Sequence, residues 1–305
     1  MKIRNHLTAF IIFSSFLCLS ALGQGALTPP GAPAPTMKSL AQIEPRTPIS
    51  SAPFTISASG SYYLTTNLIT SVSNAIVITA GGVTLDLNGF SIGSLVANAA
   101  NGGSAILLSS SSGDITIFNG HIRSGVNNSG GVYSGSGFAF GINFSPGFLQ
   151  KNIRIAGVSV TGCLNHGIYL ALDSSVVESC TVRTVGLNGI YASAVKNCIA
   201  LDCGDTAIFG NQVSDSRGQS AGGYGLYAVT AENCYGVSTS QIGLYADGNA
   251  INCYGNSTTG TGLYATSATS CIGERAGGRA IQATIANGCL ARSGTNLIMY
   301  KYNMP

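Results

Sequence analysis

The sequence predicts an all-β chain coiled as a parallel solenoid, and three observations carry that prediction. A short phrase recurs through the second half: Gly167-Ile168-Tyr169, Gly189-Ile190-Tyr191, Ala207-Ile208-Phe209, Gly225-Leu226-Tyr227, Gly243-Leu244-Tyr245, Gly262-Leu263-Tyr264 and Ala280-Ile281-Gln282. Its aliphatic residue returns at intervals of 22, 18, 18, 18, 19 and 18 residues. A second phase keeps step with it: Cys180, Cys198, Ser216, Cys234, Cys253, Cys271 and Cys289. Between the two phases lie short β-prone runs broken by Gly, Asn and Ser. A fixed period of this kind marks units that cannot bury an apolar face alone and must stack on one another. Apolar and polar residues alternate within each run, so in Gly-Leu-Tyr-Ala the Leu and Ala point inward and the Tyr outward. The Gly before each Leu suits a corner with positive φ. A left-handed coil of this length needs an aliphatic about every six residues. Leu226, Glu232 and Ser238 do not supply that pattern, so the predicted coil is right-handed.

Composition narrows the function classes. Only 8% of residues are charged and the net charge is +3, too apolar and too weakly charged for a disordered chain. The sequence has no run of clustered Lys and Arg of the kind phosphate contacts require, so no nucleic-acid partner is expected. Few carboxylates are present for acid–base pairs.

Taken in order, residues 1–23 read as a secretory signal. Lys2 and Arg4 form its basic start, Leu7 to Leu22 its apolar run, and Ala21-Leu22-Gly23 its small-residue cleavage site. No later stretch is apolar for long enough to span a bilayer. The mature chain is expected to be secreted, periplasmic or at the cell surface, with no transmembrane segment after cleavage. Residues 24–53, rich in Pro, read as an extended arm. The solenoid is expected over residues 54–305. Phe54-Thr55-Ile56 and Tyr62-Tyr63-Leu64-Thr65, around the turn Ser59-Gly60-Ser61, are expected to cap the first rung. Longer, less regular rungs follow, marked by Ile76, Ile106 and Ile142. Their surplus residues are expected to leave as loops at Ser94 to Gly103 and Ser124 to Gly137. From Gly167 the rungs tighten. About eleven rungs give a rod of roughly 50 Å at the spacing between strands.

The cysteine phase is read as an interior column of stacked free thiols, since unpaired Cys behaves as a small buried hydrophobe. Disulfides between neighbouring rungs are the alternative. The Asn before the cysteine, at 197, 233 and 252, is read as a structural corner ladder.

Ser59-Gly60-Ser61-Tyr62-Tyr63-Leu64, the segment Val83-Thr84-Leu85-Asp86-Leu87-Asn88-Gly89-Phe90 and the Gly-Ile-Tyr and Asn-Cys rungs together resemble the secreted right-handed parallel β-helix repeat proteins of bacteria, in the pectin-lyase-like superfamily. The resemblance covers about Phe54 to Tyr300. It implies a right-handed parallel β-helix, and its members include polysaccharide lyases, glycoside hydrolases, tailspikes and adhesins. Function does not follow from such a fold.

Two residue sets bear on function. Tyr169, Tyr191, Phe209, Tyr227, Tyr245 and Tyr264 occupy one position on six successive rungs. Facing outward, they would form a ladder of about 24 Å that suits polysaccharide or another cell-envelope glycan. Stacked aromatics that merely stabilise the sheet are the alternative. The second set, His166, Asp202 and Asp205, bears a partial likeness to the hydrolase branch of the superfamily, which carries Gly-His-Gly and paired aspartates. Here Asn165 stands in place of the first Gly, and Cys203-Gly204 separates the aspartates. Asp205 aligns with Asn165 two rungs away, about 9–10 Å. A calcium-dependent lyase would need converging acidic ligands, whereas Asp86, Asp114 and Glu178 are scattered. His121 and Arg123 lie beside the long early loops. No metal or cofactor is expected. The sequence therefore favours an exported, non-catalytic β-helix presenting an extended surface. A polysaccharide-degrading enzyme and a purely structural or adhesive rod are the alternatives.

Overall fold

The computed structural model describes residues 44–109, 113–145 and 150–304. Its compact solenoid unit is Arg46–Pro305, and the expected signal, with the arm up to residue 43, lies outside the described residues. The unit is an all-β parallel solenoid of about 13 turns, slightly more than the eleven rungs counted from the repeat. Among the described residues almost no helix is present; one 3-10 turn, Ala99–Asn101, sits in the first early loop. The second early loop is not irregular. It folds as an antiparallel hairpin of Gly125–Ser129 and Val132–Ser136.

The recurring aliphatic residue is one inward column. Ile76 pairs in register with Ile106, Ile142, Ile168, Ile190, Ile208, Leu226, Leu244, Leu263 and Ile281 in turn. All ten are fully buried. The irregular early spacing therefore keeps the same register as the later repeat, with the surplus ejected into loops. At the N-terminal end the solenoid takes in Thr47–Ile49, ahead of Phe54, because this strand pairs with Tyr62–Leu64. Phe54–Ile56 and Gly60–Leu64 are themselves strands of a turn, paired with Ile76–Ile78 and Val83–Asp86, rather than a cap laid over it.

Positive φ occurs at a different corner from the one expected. Gly225 and Gly243 do not adopt it. A Cβ at either glycine would run into the backbone of the next face, at Val237 and Asn256 respectively, so glycine is needed there for close approach. The left-handed corner lies one residue before the cysteines. Asn88, Asn119, Gly157, Ser179, Asn197, Asp215, Asn233, Asn252, Ser270, Gly288 and Asn303 all have φ between 48° and 63°. Residues with short polar side chains tolerate this region best after glycine. Here those side chains also bond along the axis: Asn197 Nδ2 to Ser179 Oγ at 3.2 Å, Asn233 Nδ2 to Asp215 Oδ1 at 3.1 Å and Asn252 Nδ2 to Asn233 Oδ1 at 3.4 Å.

The next column explains the cysteines. Each thiol donates back across the corner to the carbonyl two residues earlier: Cys180 to Glu178, Cys198 to Lys196, Cys234 to Glu232, Cys253 to Ile251 and Cys271 to Thr269, at 3.1–3.2 Å. Ser216 does the same to Ser214 at 2.7 Å. The same atom can accept from the rung before, as in Cys180 N–H to Cys198 Sγ at 3.4 Å and Cys198 N–H to Ser216 Oγ at 3.1 Å. The position calls for a small inward side chain with one donor and one acceptor, and both Cys and Ser meet that need. All eight described cysteines are buried free thiols.

Two outcomes follow from these corners. Asn233→Ala loses the conformational tolerance and the axial bonds, and is expected to destabilise by about 1–2 kcal/mol, whereas Asn233→Gly loses far less; urea unfolding midpoints separate them. Cys234→Ser is expected to unfold near the wild-type midpoint, while Cys234→Val removes the thiol's bonds to the Glu232 and Val213 carbonyls and is expected to cost about 0.5–1.5 kcal/mol.

Candidate functional site

The aromatic column stands on the outer side of the sheet whose inner side is the Ile/Leu column. Tyr169, Tyr191, Phe209, Tyr227, Tyr245 and Tyr264 pair in register and stack, with centroid separations of 4.7, 4.5, 4.6, 4.8 and 4.6 Å. The sequence missed the rung before. Phe144 stacks on Tyr169 at 5.7 Å, although it lies two residues after its aliphatic mark instead of one. His166 stacks on Tyr169 at 4.3 Å, and Tyr224 meets Tyr227 edge-on at 5.5 Å. Every ring is half-buried. The ring faces cover one another, so solvent meets a strip of ring edges and phenol hydroxyls.

Asp247 anchors that strip. The register slips between Ala246 and Asn249, which adds a residue to the strand Leu244–Ile251. The Asp247 carboxylate accepts the Tyr227 hydroxyl at 2.7 Å. This bond pushes the Tyr227 phenol up to about 12, and burial with the same carboxylate pushes Tyr245 up as well. Both hydroxyls therefore remain protonated donors near neutral pH.

The second residue set is divided. Backbone bonds from Leu187 to Asn165 (2.8 Å) and from Asp205 to Leu187 (3.2 Å) place Asn165 and Asp205 in one column, two rungs apart. His166 Nδ1 accepts the Asn188 N–H at 3.2 Å. Burial lowers its imidazole to about 4, and the Asp205 charge offsets only part of that. His166 is thus neutral at pH 7, flanked by rings. Asp202 is engaged elsewhere, at a corner with φ 56°. It accepts from Thr184 Oγ1 at 2.8 Å, Asn128 Nδ2 at 2.6 Å and the Tyr133 hydroxyl at 3.0 Å, which fastens the hairpin to the side of the solenoid. Tyr133 is raised by burial and by that bond.

The scattered residues also have local partners. Asp86 accepts from Arg46 at 3.1 Å, Asn88 N–H at 2.7 Å and Asn119 Nδ2 at 3.1 Å. Asp114 accepts from Asn152 at 2.5 Å, Glu178 pairs with Arg154, and His121 bonds Ser159 at 2.6 Å. Among the described residues no group of three or more His, Cys, Asp or Glu is placed to hold a metal ion, and no helix is long and apolar enough to cross a membrane. A shallow groove of about 430 Å³, not anticipated from sequence, crosses the neighbouring sheet between Val176 and Ile251. Gln212, Thr230 and Asn249 line it, with Glu178, Lys196 and Glu232 alternating in charge along one side.

No family model matches this chain, and neither the curated proteins nor the solved structures hold a significant match to it.

The His166 environment sets a pH dependence. Its folded value lies below the unfolded value of about 6.5. Its contribution to stability is therefore complete above that value and is lost as the pH falls toward 4. The difference in unfolding midpoint between wild type and His166→Gln is expected to shrink over that interval, as followed by urea denaturation at stepped pH.

Proposed function

We propose that this chain is an exported, non-catalytic right-handed β-helix of the pectin-lyase-like kind that presents an extended surface to polysaccharide. The single observation behind this reading is the unbroken aromatic strip, seven rings from Phe144 to Tyr264, on one outer side of the solenoid. Because the ring faces cover one another, a glycan lies across the edges. It meets aromatic C–H groups and the hydroxyls of Tyr169, Tyr191, Tyr227, Tyr245 and Tyr264, one rung apart except across Phe209, where the gap is two rungs. The export signal at residues 1–23 and the absence of charged groups converging on one site fit a binding protein better than a lyase or hydrolase.

One observation favours a second reading, the structural or adhesive rod. Near-parallel stacking at 4.5–4.8 Å accounts for the ladder without any ligand.

Electrophoresis through native gels containing different polysaccharides separates the readings. The wild-type chain is expected to be retarded without clearing the gel. The double variant Tyr191→Phe/Tyr245→Phe keeps the stack, removes two hydroxyls and is expected to regain most of its mobility. Clearing of any gel would overturn the reading in favour of catalysis, and unchanged mobility on every glycan would favour the rod.

A further inference from the structure

We propose that the third sheet face, running from Ser91–Ser94 through Thr181–Val185 and Arg217–Ser220 to Tyr235–Ser238, is a docking surface for an anionic lipid bilayer. The register places its arginines. Arg123 pairs with Thr161, Thr161 with Arg183, Arg183 with Leu201, and Ile199 with Arg217. An exposed arginine thus falls on every second rung, about 9.6 Å apart along the axis. Among the described residues Arg123 and Arg183 have no carboxylate partner, and Arg217 lies over the Tyr235 ring at 5.2 Å.

Acidic residues are sparse on this face. Of the chain's 11 Asp and Glu, only Asp202 and Glu274 sit on its strands. Asp202 is held by Thr184, Asn128 and Tyr133, and Glu274 by the Tyr254 hydroxyl and Arg292. Neither forms an ion pair with Arg123, Arg183 or Arg217.

The hairpin fastened at Asp202 borders this face, and the arginines lie on the strands beside it. Arg123 and Arg183 share one column and Arg217 stands in the next, so the guanidiniums spread over two dimensions. Ile199, 42% exposed, stands on the rung between Arg183 and Arg217, and Tyr235, 38% exposed, on the rung beyond Arg217. Apolar and aromatic side chains among basic ones suit the boundary between headgroups and acyl chains. A linear soluble polyanion would use the charges but not Ile199. The groove that could hold a linear chain lies on a different sheet.

The test is co-sedimentation of the exported chain, expressed with its own leader, with sucrose-loaded vesicles. Phosphatidylcholine vesicles containing phosphatidylglycerol are expected to carry it down at about 0.1 M salt and to release it at about 0.5 M. Pure phosphatidylcholine vesicles should not carry it. Each arginine contributes about fivefold to partitioning, so Arg183→Gln/Arg217→Gln is expected to bind about thirtyfold more weakly. Lys301→Gln, which removes a charge elsewhere, should bind as wild type, and circular dichroism confirms that the variants keep the fold. Equal sedimentation on pure phosphatidylcholine would overturn the proposal, as would undiminished binding of the double variant. Retention on a soluble sulfated polysaccharide without sedimentation on any vesicle would also overturn it, and would assign the face to a linear polyanion.

Discussion

The structure depends on one backbone constraint, a left-handed corner repeated in register on successive turns. The column from Asn88 to Asn303 lets the chain change direction between two sheets within a single residue. A bulky or β-branched residue would be strained there, which is why the column is made of Asn, Asp, Ser and Gly. Side-chain bonds along the axis, such as Asn233 to Asp215, link several corners to the neighbouring turn. Corner geometry and stacking therefore reinforce each other. With the corners aligned, adjacent strands pair over their whole length and every residue type is sorted into a column.

The column after the corner shows how little interior the later coils contain. Cys180 through Cys289 and Ser216 close the turn by bonding the carbonyl two residues back. Beyond them the interior narrows to small side chains. Gly218, Gly236 and Gly255 face Gly225, Gly243 and Gly262 so closely that a Cβ on either side would strike the opposing backbone. Earlier turns hold Leu68, Ile92, Ile122, Val160 and Val182 in register with Gly218, and the long loops leave after Ile92 and Ile122. The shortening of the repeat to 18 residues thus accompanies a change in this column from large aliphatics to Ala and Gly, while the Ile/Leu column stays buried throughout.

Much of this was legible in the sequence because a solenoid writes its columns as a period. The Ile/Leu phase, the Tyr phase and the Cys phase each became a physical column, and the alignment of Asp205 with Asn165 follows from the same arithmetic. The glycine before Leu was misread, since sequence alone does not distinguish a residue needed for positive φ from one needed for close approach. Phe144 was missed because its offset from Ile142 differs by one residue from the later rungs. The hairpin at Gly125–Ser129 and Val132–Ser136 has the Gly, Ser and Asn content of an irregular loop. Its fastening to Asp202 joins residues 74 apart in sequence, a link with no local signal.

The same sorting bears on function. Face-to-face rings leave only edges for a ligand, so the aromatic ladder combines a stabilising role with the display of hydroxyls on either side of Phe209. The candidate residues are sorted in the same way: His166 belongs to the aromatic column and Asp202 to the hairpin attachment, and the two are held by unrelated partners. Arg123, Arg183 and Arg217 are far apart in sequence and look like isolated charges in a chain with net charge +3. Register alone turns them into a patch. In a solenoid a weakly charged sequence can still present a strongly charged face, because charge is distributed by column and not by neighbourhood along the chain.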